Sequence, residues 1–366
     1  MRVAILGHKG IPAHSGGIQQ SVEACSRLLT RRGHDVVVYC RRSYCGRNAR
    51  SSSKGRLHRV VRPSIPTKHL DAISHTFVST LDVLLRRADV VHYHAIGPAA
   101  LAPLSRCGAL PVVVSVHGVD WQRAKWGRIA RNCLKLAERM ATVAASKLVV
   151  VSPVLRTYFA QQYGIPTEFI PNGVTPMQHR EPHRMLEFGI EPQRYIFAAA
   201  RFVPEKGLHY LIDAFQQIPH DVKLVIAGGS RLDNQYERQL RKCNDPRVVF
   251  TGPADRELME ELLSHASLFV LPSEIEGMSV MLLEAMHMGV PVLVSDIPEN
   301  LCVVEEAGVS FRSGSVESLQ TELRKLLDDP DLKTHWSHKV REKAKPYDWS
   351  HAVDGYERVY RQCLGN

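Results

Sequence analysis

The chain reads as an α/β protein made of two doubly wound parallel-sheet domains in series. Short β-branched runs alternate with amphipathic helical stretches, the pattern of parallel sheets wrapped on both faces. The rhythm halts at Pro171-Asn172-Gly173-Val174 and the polar stretch 175–184, then resumes. A length of 366 residues also exceeds what one hydrophobic core ordinarily serves.

In the first half, strands are expected at 3–6, 35–39, 90–93, 112–116 and 148–151, and helices at 17–32, 70–86, 121–145 and 153–162. The second half repeats the order, with strands at 195–199, 222–226, 247–250, 268–271, 292–294 and 309–311. Its helices are expected near 207–216, 234–242, 255–265 and 279–288. Beyond Val309 the pattern is helical, and 349–362 forms a last amphipathic helix. The domains are therefore drawn at 1–171 and 190–345, with the closing helix, about 349–366, packing back on the first. Open parallel sheets bind ligands at the carboxyl ends of their strands, so two of them place the expected site in the cleft between domains.

Charge is divided unevenly. Residues 1–170 carry 25 Lys/Arg against 8 Asp/Glu, while 171–366 carry 22 against 29. Between Asp35 and Asp71 there are nine basic residues, from Arg41 to Lys68, and no acidic one. Such a block either meets an anionic partner or is a solvated basic loop. The eight cysteines show no Cys-x-x-Cys or regular spacing, as expected of reduced thiols in a cytosolic protein. No apolar run is long enough to span a bilayer or act as a signal peptide.

Several motifs fall at expected strand ends. Gly7-His8-Lys9-Gly10-Ile11-Pro12-Ala13-His14-Ser15-Gly16-Gly17 joins the first strand to the first helix, where glycines let backbone approach a phosphate. Its spacing is wrong for a dinucleotide fingerprint, although Arg41 and Arg42 after the second strand keep an NADP dehydrogenase open. Arg201 and Lys206 flank a turn after the first strand of the second domain and can clamp a diphosphate, the one as a fork and the other as a point charge. His117 follows the strand 112–116 and can bond a sugar hydroxyl or handle a proton. His92 and His94 lack the further ligands of a metal set. Asp328-Asp329-Pro330-Asp331 reads as a stop and cap between helices. Glu276 and Glu284 bracket Gly277 and the start of an apolar helix. Carboxylates grip hydroxyls there and helix amides grip phosphate, which suits a nucleotide sugar.

These residues together resemble the family 4 (group 1) retaining glycosyltransferases, which have the GT-B fold. The resemblance spans nearly the whole chain and rests on Gly16-Gly17, His117-Gly118, Ile170-Pro171-Asn172-Gly173-Val174, Arg201 with Lys206-Gly207, and Glu276-x7-Glu284 followed by Gly289-Val290-Pro291-Val292. The amino-terminal segment looks most like a bacterial subgroup often labelled rhamnosyltransferase. The resemblance implies that Gly16 and Gly17 approach the donor diphosphate and that Arg201 and Lys206 neutralise it as it departs. Glu276 would bond the transferred sugar, with amides of Gly277, Met278, Ser279 and Val280 nearby. Glu284 would hold the ribose and His117 the donor sugar. No metal, cofactor or protein nucleophile is implied. The first domain would bind a glycan or lipid-linked acceptor, and the basic segment Trp121–Arg139 would touch an anionic inner membrane face. A nucleotide-sugar epimerase shares the fold. A nucleic-acid-binding protein is a third reading, but it lacks aromatic stacking clusters and leaves the acidic half unexplained.

Overall fold

The computed structural model describes residues 1–13, 16–46, 48–67, 70–122, 126–230 and 235–365. Expectations placed on His14, Ser15, Arg47, Lys68, Arg123, Lys125 and Asn234 lie outside them. The chain forms two units, residues 1–173 with 347–366, and residues 174–346.

The first unit contains β1 (Arg2–Leu6), α1 (Gly17–Arg31), β2 (Asp35–Arg41), α2 (Arg42–Cys45), β3 (Ser52–Lys54), β4 (Leu57–Arg62), α3 (Leu70–Arg86) and β5 (Val90–His94). It continues with α4 (Ile96–Ala99), α5 (Ala102–Cys107), β6 (Val112–Val116), α6 (Arg128–Ala144), β7 (Lys147–Val150), α7 (Pro153–Tyr163) and β8 (Glu168–Phe169). One sheet runs β3-β4-β2-β1-β5-β6-β7-β8. Neighbours are parallel except β3 against β4. Every residue of β5 and β6 is buried, as expected where helices cover both faces of a parallel sheet.

The second unit holds α8 (Arg184–Glu187), β9 (Tyr195–Arg201), α9 (Leu208–Gln216), β10 (Lys223–Gly229), α10 (Gln235–Leu240), β11 (Val248–Gly252), α11 (Arg256–His265) and β12 (Leu268–Leu271). After these come α12 (Val280–Met288), β13 (Val292–Ser295), α13 (Pro298–Val304), β14 (Val309–Phe311), α14 (Val316–Asp328) and α15 (Pro330–Ala344). Its parallel sheet runs β11-β10-β9-β12-β13-β14. Strand order reverses between β1 and β5 in one unit and between β9 and β12 in the other. At each reversal the connections leave in opposite directions, which opens a crevice at the carboxyl ends.

The closing helix, Trp349–Leu364, belongs to the first unit. It buries Trp349, Val353, Tyr356, Val359 and Tyr360 in the core shared with β1 and α1. Gly355 admits the approach, since a Cβ there would stand 3.1 Å from Ile170 side-chain carbons. Polar anchors add Arg32 to Asp354 at 2.5 Å and His34 to Glu357 at 2.7 Å.

Two expectations change. The helix drawn over 121–145 begins at Arg128, after an extended Gly127 N-cap; Asp120–Gln122 form a separate 3-10 turn, so Trp121 and Trp126 precede the helix. The basic block is also not a plain solvated loop. Part of it is β4, half-polar in sequence and paired along β2, and two of its arginines turn inward to acids on α3. Arg41 meets Asp71 at 2.8 Å and Arg62 meets Asp82 at 2.6 Å. The acid-free stretch is thus partly neutralised from a distant segment. Between α14 and α15, Asp329 accepts from the Asp331 amide at 3.0 Å, which is a local turn contact.

Gly207 sits between Lys206 and α9 at φ +65°, and a Cβ there would lie 2.0 Å from the Pro272 carbonyl oxygen. Gly207→Ala is expected to cost about 1–3 kcal/mol through backbone strain and displacement of the β12 loop, read as a lower urea midpoint with unchanged slope.

Candidate active site

The reversal between β9 and β12 fixes which loops meet. The turn after β9 carries Arg201 and Lys206, and the loop after β12 carries residues 273–279. The Glu274 amide donates to the Glu205 carbonyl at 3.0 Å, joining the two turns through backbone. Ser295 at the end of β13 donates to the Ser273 carbonyl and is itself held by Asn300 Nδ2 at 3.0 Å. Tyr210 on α9 donates to Glu274 Oε1 at 2.8 Å. The loop is therefore braced from three elements.

Within this frame Lys206 Nζ pairs with Glu276 Oε1. The two side chains are separated by 70 residues in sequence and mostly shielded from solvent. Arg201 ends β9 opposite Gly229 and is exposed. Gly277 and Met278 are buried just before α12, and Ser279 caps that helix by accepting from the Leu282 amide at 3.3 Å. Val280 is its first, buried residue. The loop therefore feeds into the positive end of α12, whose first amides lack intrahelical partners.

Glu284 lies one turn further along α12 and is only 3% exposed. Its Oε1 accepts from Arg256 Nη1 at 3.1 Å. Burial raises this carboxyl to about 7, against the opposing pull of Arg256. Arg256, the first residue of α11, also bonds Glu260 at 2.8 Å and the carbonyls of Thr175 and Pro176. The structure thus brings Lys206 to Glu276 but directs Glu284 to Arg256. Arg256 was invisible in the sequence, because it follows an ordinary Asp N-cap and meets Glu284 only through packing. Glu299, in the first turn of α13, is a further carboxyl of this region, raised by burial with the Glu276 charge adding.

In the first unit, Gly16 caps α1 at φ +94°, and a Cβ there would fall 2.7 Å from Gln19 Oε1. Gly17 opens the helix. His117 follows β6 and heads a column of imidazoles. Its Nε2 is 3.0 Å from His94 Nδ1, with the rings stacked at 5.2 Å. His94 packs 4.2 Å from His92, which bonds Tyr360 at 2.8 Å and Ser115 at 2.7 Å. The sequence marked the His92/His94 pair apart from His117; parallel pairing of β5 with β6 brings His117 to that pair, and the closing helix supplies the Tyr partner of His92. Burial lowers His117 to about 4 and His92 to about 3, and pushes His94 well down. All three rings are neutral at pH 7, so His117 is fitted to bond a hydroxyl rather than to serve as a cationic acid.

Two family models match the chain. One, for Glycosyltransferase Family 4, covers residues 15–178, and the other, for Glycosyl transferases group 1, covers residues 186–343. An uncharacterized glycosyltransferase of Bacillus subtilis is 31% identical over 57% of this chain and 59% of its own length. The GDP-mannose-dependent alpha-(1-6)-phosphatidylinositol monomannoside mannosyltransferase of Mycolicibacterium smegmatis is 29% identical over 87% of each chain. Sucrose-phosphate synthase from Thermosynechococcus elongatus superposes with a TM-score of 0.85 at 19% identity, over 100% of this chain and 99% of that one. That likeness identifies the GT-B architecture.

His8, in the glycine loop, is 2% exposed, and among the described residues neither ring nitrogen has a hydrogen-bond partner. Burial lowers it to about 3. A histidine lowered from the ordinary 6.5 binds its proton in the unfolded chain first, so folding stability is lost as pH falls from about 6.5 towards the folded values. The urea midpoint is expected to fall over that window. His8→Leu is expected to flatten part of the fall and to add about 1–2 kcal/mol at neutral pH by removing an unsatisfied buried polar group. An unchanged pH profile in His8→Leu would contradict the neutral, buried assignment.

Proposed function

The chain belongs to the family 4, group 1 glycosyltransferases, and from that premise we propose that it transfers a sugar from a nucleotide-diphosphate donor to a hydroxyl of a lipid-linked glycan acceptor, with retention at the anomeric carbon. The Lys206–Glu276 pair at the β9/β12 reversal carries this reading. Before the donor arrives the two charges satisfy each other. A donor would bring the ammonium a diphosphate and the carboxylate a sugar hydroxyl, so both exchange one partner for another without being left bare. Arg201, at the mouth of the same turn, adds a guanidinium fork for the diphosphate. Glu284, held by Arg256, faces the ribose in this scheme, and the start of α12 lies between the two carboxylates.

The chemistry follows from where charge develops. As the bond from the anomeric carbon to the diphosphate oxygen breaks, negative charge grows on the leaving group beside Arg201 and Lys206. Cations placed there stabilise the transition state more than the ground state. The departing diphosphate takes the acceptor's proton while the acceptor oxygen bonds the same face, which preserves the configuration. Gly16 and Gly17 would meet the diphosphate through backbone, and neutral His117 the sugar. The mycobacterial relative, named for a GDP-sugar donor and a phosphatidylinositol-linked acceptor, supports this class of substrates. A nucleotide-sugar epimerase is not favoured by relatives named as transferases.

A peripheral seat on anionic membrane belongs to this reading. Among the described residues no helix is long and apolar enough to cross a membrane. On α6, however, Ile129, Leu136, Met140 and Val143 form an exposed apolar stripe. Arg128, Arg131, Lys135 and Arg139 run alongside it, also exposed. On α3, Phe77 and Leu85 are exposed as well, and α4 touches both helices. Apolar side chains between cations suit the interface of an anionic bilayer. The tryptophans do not belong to this stripe; Lys135 Nζ covers the Trp121 ring at 4.5 Å.

Two measurements test these assignments. Lys206→Ala and Glu276→Gln are each expected to lower transfer from a panel of nucleotide sugars at least about 100-fold, with the far-ultraviolet spectrum unchanged. Undiminished nucleoside-diphosphate release in both variants would remove the pair from the mechanism. Flotation with phosphatidylglycerol vesicles should retain the wild-type chain and lose most of Ile129→Glu/Leu136→Glu, while zwitterionic vesicles retain little of either. Equal retention of both proteins on anionic vesicles would rule out α6 as the contact.

A further inference from the structure

At the carboxyl end of β2, two cysteines face one another across the glycine loop. Cys40 is fully buried on the strand, and Cys45 is partly exposed at the end of α2. The Cys40 thiol donates to the Val38 carbonyl at 3.6 Å. Gly10 lies between them: a Cβ on that residue would stand 3.2 Å from Cys40 Cβ and 3.2 Å from Cys45 Sγ. Three neighbouring contacts run from this corner to the loop. The Ile11 amide donates to Cys40 Sγ at 3.4 Å, the Arg41 amide to the Lys9 carbonyl at 2.8 Å, and Tyr44 Oη to the Pro12 carbonyl at 3.2 Å.

A cation completes the corner. Among the described residues Arg59 on β4 forms no ion pair and its buried Nε has no hydrogen-bond partner, while its Nη2 donates to the Arg50 carbonyl at 3.4 Å. The neighbouring Cys40 thiol, and after it the Arg59 charge, hold the Cys45 thiol down at about 7, burial opposing. Cys25, buried without a cation, is pushed up to about 12 by burial. An accessible thiol beside a cation and a second thiol is the arrangement of a reactive and a resolving cysteine.

We propose that Cys45 and Cys40 form a peroxide-responsive thiol–disulfide pair that closes on the glycine loop and shuts the enzyme off. The Cys45 thiolate attacks one oxygen of hydrogen peroxide, the O–O bond breaks, and the hydroxide released takes a proton to leave as water. The resulting Cys45 sulfenic acid is attacked by the Cys40 sulfur. The S–S bond forms, the S–O bond breaks, and a second water leaves with the Cys40 proton. Two thiols lose two electrons to one peroxide. The bond removes the Cys40 thiol from its contacts and draws α2 onto Gly10, disturbing the seat of residues 9–12 that lead to Gly16 and Gly17. Loss of transfer rests on reading that loop as a donor contact; formation of the bond does not.

The full chain is treated with hydrogen peroxide, alkylated and mapped by peptide mass spectrometry, with transfer followed in parallel. The expected result is a Cys40–Cys45 linked peptide, two fewer titratable thiols in denaturant, and at least about tenfold slower transfer restored by dithiothreitol. Cys45→Ser should abolish both the bond and the peroxide sensitivity. Cys40→Ser should leave a Cys45 sulfenic acid trapped by dimedone. Oxidation confined to the exposed Cys107 or Cys133, with Cys40 and Cys45 still thiols, overturns the pair. A mapped Cys40–Cys45 bond with undiminished transfer overturns the switch. Absence of transfer in the reduced protein as well would instead count against the transferase substrates proposed above.

Discussion

Reversal of strand order between β9 and β12 is the constraint on which the second unit's chemistry depends. Parallel strands deliver their connections at one edge, and neighbouring strands whose crossovers leave in opposite directions leave that edge uncovered. The turn holding Lys206 and the loop holding Glu276 start from those two strands, so their meeting follows from topology. Packing then removes the freedom that remains. Gly207 allows the turn to touch Pro272, the Glu274 amide ties the loop to Glu205, and Ser295 with Asn300 holds Ser273 from behind. The ion pair is the outcome of this bracing more than its cause, since a partly shielded pair contributes modest stability by itself.

Burial sets the protonation of the polar groups around both reversals. Glu284 is raised to near neutrality because its carboxylate sits in the core of α12 with Arg256 as its charged partner. His92, His94 and His117 are lowered for the same reason, and they persist because their ring nitrogens find Ser115, Tyr360 or one another. A neutral column of this kind gives His117 a fixed orientation without placing a positive charge there. In the same unit Arg41 and Arg62 escape the penalty of burial by meeting Asp71 and Asp82.

Much of the fold was legible because strand and helix periodicities are local. The strand at 268–271, the helix at 70–86 and the closing helix were drawn within a residue or two. What failed was also local in origin. The hairpin of β3 and β4 escaped notice because Leu57–Arg62 mixes His and Arg with Val, so its burial comes from pairing with β2 and not from its own pattern. The start of α6 was set too early because Trp121 and Arg123 continue the amphipathic spacing, while Gly127 breaks the backbone. Candidate residues such as Arg201 and His117 could be picked out by their place after a strand, and Glu276 and Glu284 by their motif, but their partners could not. Arg256 for Glu284 and Tyr360 for His92 come from segments 28 and 268 residues away.

By itself the sequence determined the two-sheet α/β class and a motif set specific enough to indicate a glycosyltransferase family, and it marked the candidate residues near the strand ends. These depend on local periodicity and on glycine, proline and charge at fixed offsets. Tertiary structure alone decided that Lys206 pairs with Glu276 while Glu284 turns to Arg256, that three separate histidines stack into one neutral column, and that two arginines of an apparently naked basic block are neutralised from α3. The physical reason is common to all three. Whether a charge is paired, shielded or shifted depends on which distant segment packs against it, and that is settled by strand order and burial rather than by neighbours along the chain.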